Sequence, residues 1–206
     1  MPTNLIRSLT FSVIVLALTF GFAFAGVGVS QLFFRHQADG SISAAGSTLI
    51  GQNWAAASCP GHALGSCVFH GRPDDTGPYA AAPKEHASGG DNPLVANGVG
   101  GESAATNLGP RSKVLLANTE ELIAYWHKLG VDPTTDLVTT SGSSYDPDIT
   151  ASDALVQVPM VAKATGIAPS TLRHLISVEN HPAELGFLGS SYIDVLQLNE
   201  ALVKLR

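Results

Sequence analysis

The first hydrophobic feature of the chain is a block with no period. No charged residue occurs from Ser8 to Phe34, and Phe11–Val29 is dense in Phe, Val, Ile, Leu, Ala and Gly. About 20 apolar residues span the hydrocarbon core of a bilayer, so this segment is long enough to cross one. Arg7 lies on its near side and Arg35, His36 and Asp39 beyond it. That slight positive-inside bias puts the N-terminus in the cytoplasm and the remainder outside. A cleaved signal peptide is the rival reading, because Ala23-Phe24-Ala25 forms an A-x-A site. The apolar run continues past it to Leu32-Phe33-Phe34, which favours a retained anchor. Ala17, Gly21, Ala25 and Gly28 recur at spacings of four, four and three, so small residues share one face where another membrane helix can pack closely.

Beyond the anchor the patterning changes. Residues 37–46 are polar and read as a link. Ser47–Trp54 and Cys67–Arg72 have the composition of short strands. Residues 73–110 are rich in Gly, Pro, Asp and Asn and read as a long loop. Leu115, Leu122, Trp126 and Leu129 then share a helical face that Gly130 and Pro133 end. Asp136–Ser141 is β-rich and reads as a strand. Thr150 with Asp153 makes a capping box for a helix through Gln157, Pro159 opens a further helical turn, and Gly166 stops it. Pro169 opens a helix to about Glu179. Asp194 with Gln197 caps a last helix with apolar positions Val195, Leu198, Leu202 and Leu205. The expected fold is a single transmembrane helix plus one mixed α/β extracytoplasmic domain with few strands. Its divisions are a short cytoplasmic terminus over 1–8, a span over 9–34 and a domain over 35–206, with an insertion-like loop at about 91–106.

Charge narrows the function. Two of the 11 basic residues, Arg7 and Arg35, flank the span, so 9 basic and 17 acidic residues remain beyond it, a net −8. That balance argues against nucleic acid as a partner. No phosphate-binding loop, dinucleotide fingerprint, G-x-S-x-G or H-E-x-x-H is present. A secreted hydrolase is therefore disfavoured, and neither a catalytic residue nor a cofactor site is assigned to this chain. Cys59, His62, Cys67 and His70 read C-x2-H-x4-C-x2-H, which leaves a disulfide, two free thiols or a zinc site open. A Cys59–Cys67 bond would contribute about 2.5 kcal/mol by loop entropy. His70 and Arg72, two apart, suit either a site for an anion or a partner's carboxylates, or internal pairing of Arg72 with an acid and of His70 with a carbonyl. Thr139–Ser143 is rich in hydroxyls and suits a ligand or a strand end.

The ordered set of short runs says more than any one of them. A-D-G-S precedes G-S-x-L-I-G-Q at Gly46–Gln52, F-H-G-R-P at Phe69–Pro73, S-G-G at Ser88–Gly90 and N-L-G-P at Asn107–Pro110. D-L-V-T-T-S-G-S follows at Asp136–Ser143, then Y-D-P-D-I at Tyr145–Ile149 and Q-V-P-x-V-A-K-A-T-G at Gln157–Gly166. G-F-L-G at Gly186–Gly189 and D-V-L-Q-L-N-E-A-L at Asp194–Leu202 close the series. This order resembles the C subunit of the Kdp potassium-transporting ATPase of bacteria and archaea over nearly the whole chain. The resemblance implies a non-catalytic subunit, single-pass in the cell (inner) membrane. Its partners would be a channel-like potassium-binding subunit, a P-type ATPase subunit and a small single-span subunit, with membrane lipid around the helix. ATP and potassium would be handled at the level of the complex, with this chain stabilising assembly and supporting ATP binding by the pump subunit. It also marks Gln52, His70, Arg72, Ser88, Asn107, Thr140, Ser141 and Asp146 as candidate partner-facing positions. Residues 91–106 look inserted, 55–66 look longer than the family's usual stretch, and Met160 stands where the family commonly has Arg. The alternative from a different class is a membrane-anchored extracytoplasmic binding protein for a small ligand or metal, using the Cys/His loop.

Overall fold

The computed structural model describes residues 2–52, 54, 57–73, 105–143 and 145–206. It divides into two compact units, Met1–Ile42 and Ser43–Arg206.

The first unit is α1 (Pro2–Phe33) followed by the single turn α2 (Arg35–Ala38). Helix α1 is apolar on all sides, which is the signature of a helix meant for a hydrophobic surround. At about 1.5 Å per residue it exceeds the length needed to cross a bilayer, and it is the one helix among the described residues with that length and composition. Three of its hydroxyls are satisfied within the helix. The Thr10 and Thr19 hydroxyls donate to the Ile6 and Val15 carbonyls at 2.9 Å, and the Ser30 hydroxyl to the Val27 carbonyl at 2.8 Å. Arg35 and Asp39 pair at 3.6 Å just past its end, exposed, where such a pair adds little.

The second unit is mainly helical. It contains α3 (Lys113–Lys128), a 3-10 turn at Asp136–Val138, β1 (Asp148–Ile149), α4 (Ala151–Thr165), α5 (Pro169–Val178), β2 (Ile193–Asp194) and α6 (Val195–Val203). β1 and β2 pair antiparallel, with Asp148 opposite Asp194 and Ile149 opposite Ile193. Helix α4 packs on α5, and α5 on α6. The core gathers Phe69, Leu122, Trp126, Leu137, Val158, Val161, Leu172, Ile176, Ile193, Leu198 and Leu202. Trp126 is fully buried, and its indole N–H donates to the Leu137 carbonyl at 2.9 Å, so its large apolar area is gained without an orphaned donor.

Local signals place the helix ends. Ser112 caps α3 through the Leu115 amide, and Gly130 just beyond it has φ +77°. The Thr150–Asp153 capping box is present in both directions, and Gly166 ends α4 in the left-handed conformation. Asp153 is buried; it accepts from the Thr150 amide and hydroxyl, each at 2.7 Å, and from the Thr134 hydroxyl. Pro169 starts α5, and Asp194 caps α6 by accepting from the Gln197 amide at 2.8 Å.

Five expectations are corrected. Pro159 opens no new turn: α4 runs through it. The bond a proline removes is the one to the Leu155 carbonyl, and both residues lie on the exposed face while Ala154, Val158 and Val161 are buried. Asp136–Ser141 is not a strand: Asp136–Val138 forms a 3-10 turn, and adjacent Leu137 and Val138 are both buried, which an alternating strand does not permit. Residues 47–50 are a turn rather than part of a strand, with the Ile50 amide bonded to the Ser47 carbonyl. Cys67–Arg72 has no strand partner among the described residues; two helical side chains bond its Phe69 and His70 backbone instead. Leu205 lies past the end of α6 and is about half exposed. The loop at 91–106 lies outside the described residues up to Glu102-Ser103-Ala104.

Candidate functional site

Several of the short runs singled out in the sequence meet at one place in the second unit. Its spine is the segment Phe69–Arg72. The Phe69 amide donates to Asn199 Oδ1 and the Phe69 carbonyl accepts from Asn199 Nδ2, both at 2.8 Å. The His70 amide donates to Gln157 Oε1 at 2.8 Å, and Gln157 Nε2 donates to the His70 carbonyl at 3.0 Å. Each primary amide thus offers an acceptor and a donor side by side, as a neighbouring strand would. Both amides are buried, on α4 and α6, so the pairing also satisfies backbone groups that water cannot reach.

His70 is itself buried. Its Nε2 lies 2.8 Å from the Gly65 carbonyl, and its ring meets Trp126 edge-on with centroids 5.4 Å apart. Nδ1 has no hydrogen-bond partner among the described residues. Burial pushes its pKa down to about 4, against the smaller upward pull of the Gly65 carbonyl, so the ring is neutral at physiological pH.

Arg72 turns the other way. Its guanidinium donates to the Thr140 carbonyl at 3.0 Å and the Thr139 carbonyl at 3.4 Å, and stands 3.6 Å from the Asp146 carboxylate. The segment Gly46–Gln52 closes onto the same corner. The Gly51 amide donates to the Tyr145 carbonyl at 2.8 Å, and a Cβ at Gly51 would sit 2.6 Å from the Asp146 carbonyl oxygen. Gly46 has φ +145°, and a Cβ there would collide with the Gln52 amide. Both glycines are therefore demanded by close approach.

The candidate residues divide accordingly. Gln52, Arg72, Thr140 and Asp146 are half-buried around this corner, while His70 and Ser141 are buried within the unit. The Ser141 hydroxyl lies 3.2 Å from that of Ser143. Asn107 is exposed, has φ +53° and bonds the Ala105 carbonyl at 2.7 Å, which is turn chemistry. Ser88 lies outside the described residues. Cys59 and Cys67 form a disulfide. The disulfide, with Val68, Trp54, Ala57 and Ala164, makes a small apolar cluster of its own. The C-terminal Arg206 guanidinium donates to the Cys67 carbonyl. Among the described residues no group of three or more His, Cys, Asp or Glu side chains is placed to hold a metal ion.

Sequence reasoning missed the most organising residues, Gln157 and Asn199. A signal was available: each is an amide within the apolar stripe of its helix, Asn199 beside Leu198 and between Val195 and Leu202. It also missed the β1–β2 carboxylates. Burial, then the charges of Asp146 and Asp194, raise the Asp148 pKa to about 6, with His181 pulling the other way. Burial likewise raises Asp194, opposed by the amides it caps.

Nothing in this geometry pairs a nucleophile with a base. Its polar groups are spent on holding three chain segments together. The sequence runs that meet here are those of one family. The family model described as "K+-transporting ATPase, c chain" matches residues 4–204. The chain belongs to this family. A Rhodopseudomonas palustris (strain TIE-1) protein named potassium-transporting ATPase KdpC subunit is 36% identical, over 96% of this chain and 95% of its own. A Methylorubrum extorquens protein of the same name is 35% identical, over 94% of each. A Nostoc protein named potassium-transporting ATPase KdpC subunit 1 is 35% identical, over 90% of this chain and 87% of its own. The family match thus takes in α1 and the second unit together.

Proposed function

We propose that this chain is the non-catalytic C subunit of an ATP-driven potassium uptake complex, and that its work is to hold that complex together. In this reading α1 spans the cell (inner) membrane once with its N-terminus in the cytoplasm, and the second unit lies outside. The partners are a channel-like potassium-binding subunit, a P-type ATPase subunit and a small single-span subunit. ATP and potassium are bound by those partners. Support for ATP binding by the pump subunit then acts through assembly, because a unit outside the membrane has no access to cytoplasmic ATP.

The observation that carries the reading is the family match along the whole length of the chain. Two others support it. The polar groups of the shared runs are committed to internal packing rather than to chemistry. The Cys59–Cys67 disulfide suits an oxidising compartment, as the placement of the second unit requires.

Gentle detergent extraction followed by affinity capture of this chain tests the assembly role. Recovery of the channel-like and ATPase subunits in stoichiometric amounts is expected; recovery of this chain alone, with those subunits present and intact, overturns it. Protease added to right-side-out vesicles tests orientation and is expected to reach the second unit. A photoreactive ATP analogue that labels the second unit in the intact complex would defeat the indirect route to ATP.

A further inference from the structure

The segment Glu184–Leu188 is a tight hairpin tip at odds with its own folding. The Glu184 amide donates to the Leu188 carbonyl and the Leu188 amide to the Glu184 carbonyl, both at 2.9 Å, and the Phe187 amide donates to the Glu184 carbonyl at 3.2 Å. Inside this closed tip Leu185 has φ +53° and Gly186 φ +80°. Glycine takes that conformation without cost, and asparagine or aspartate at little cost; leucine costs about 1 kcal/mol or more. The side chain so placed gains no compensating burial. Leu185 is 80% exposed, Phe187 74% and Leu188 52%. Three large apolar side chains thus project from a backbone that hydrogen bonds hold in one shape, one of them in a conformation a stability-optimised turn would not use.

We infer that the Leu185–Phe187–Leu188 tip is a docking anchor that seats in an apolar recess on the extramembrane surface of another subunit of the same ATPase. The inference rests on the assembly reading above and adds the contact surface. Charge selects a protein recess over a lipid surface. No Lys or Arg occurs from His174 to Val203, whereas Glu179, Glu184, Asp194 and Glu200 do, and segments that bind anionic bilayers surround their apolar residues with cations. Preorganisation points the same way. A fluid bilayer takes up a mobile apolar loop as readily as a fixed one, while a protein pocket rewards an anchor whose shape is already set.

The test uses the full chain expressed with its partner subunits. Leu185→Asn relieves the backbone conformation and removes the anchor; Phe187→Ser removes the aromatic alone. The expected result is an unchanged or raised thermal midpoint of this chain for Leu185→Asn, with about a tenfold loss of co-purified partner for both variants. A purely structural turn would give the stability gain with no loss of partner, and that result overturns the inference. In the otherwise wild-type chain, a photo-cross-linking amino acid at position 187 should form an adduct with another subunit. Adducts only with lipid, only within this chain, or none at all, overturn it even if a substituted chain misfolds. Failure of the wild-type chain itself to co-purify strikes the assembly reading instead, and the two failures are thus told apart.

Discussion

Gln157 and Asn199 do with side chains what a neighbouring strand does with backbone, and the cost of losing either should show it. Asn199→Leu keeps the volume and apolar fit but leaves the Phe69 N–H and C=O buried without partners. Each such group costs about 1–3 kcal/mol, so a loss of roughly 2–4 kcal/mol is expected in urea unfolding of the detergent-solubilised chain. Asn199→Asp keeps an acceptor for the Phe69 amide and loses the donor; if it proves as stable as wild type, the two-point pairing is not what holds the segment. His70 adds a pH signature. Its folded pKa of about 4 lies below the ordinary histidine value of 6.5. The folded form therefore binds fewer protons between those values, and the contribution of a neutral His70 is complete above pH 6.5 and is lost as pH falls toward 4. A shift of that size corresponds to about 3 kcal/mol at the acid end. His70→Gln, measured from pH 7.5 to 4.5, should lower stability at neutral pH but flatten the acid decline. An equally steep decline in the variant would place the titration elsewhere.

At the scale of elements, the β1–β2 pair carries the opposite sign. Asp148 faces Asp194 across two residues of ladder, and like charges directly opposite are destabilising. Asp148 has a folded pKa of about 6, above the ordinary aspartate value of 3.8. The folded form binds more protons in that window, so ionised Asp148 weakens the fold above pH 6 and the penalty is relieved as pH falls toward 4. Asp148→Asn is expected to raise the urea midpoint at pH 7.5 and to leave it unchanged near pH 3.5. Burial and the neighbouring charges of Asp146 and Asp194 together make that penalty, and a midpoint unchanged at both pH values removes this account. The same pair explains what could and could not be seen in the sequence. Helix starts and stops were legible because their causes are local: Thr150 with Asp153, Gly130, Gly166, Pro169 and Asp194 act within one turn. The strands were not, because β1 and β2 are two residues each and lie more than 40 positions apart. Asp136–Ser141 looked like a strand by composition, but buried Trp126 takes the Leu137 carbonyl and the turn tightens around it. At the site, the runs containing Gln52, Arg72, Thr140 and Asp146 were visible as runs. Their meeting depends on the Gly51–Tyr145 bond and the Arg72 contacts, which no local pattern encodes.

The whole molecule pairs a helix that is apolar on every side with a unit whose polar groups are largely spent on itself. If the chain works by assembly, as proposed, it acts through surfaces, and α1 offers one that can be tested without touching the folded unit. Ala17, Gly21, Ala25 and Gly28 fall within about 80° of one another at 100° per residue, and apart from the adjoining residues and backbone of the helix itself nothing described lies within 4 Å of a Cβ built at Gly21 or Gly28. Between membrane helices the driving force is close packing, since lipid tails solvate leucine as well as a neighbouring helix does. A stripe of small residues is therefore useful only if something approaches it. Gly21→Leu adds apolar bulk, so insertion and the abundance of this chain should hold. Co-purification with the partner subunits should fall about tenfold, the scale of one to two kcal/mol of lost helix packing. Ala23→Leu makes a comparable addition on the opposite face and should leave co-purification intact. Equal losses for both substitutions would mean that the helix tolerates no added bulk anywhere, and no loss for either would mean that the small residues are ordinary membrane composition; each result removes the stripe as an interface. Loss at Gly21 alone places a neighbouring helix on the Ala17–Gly28 face.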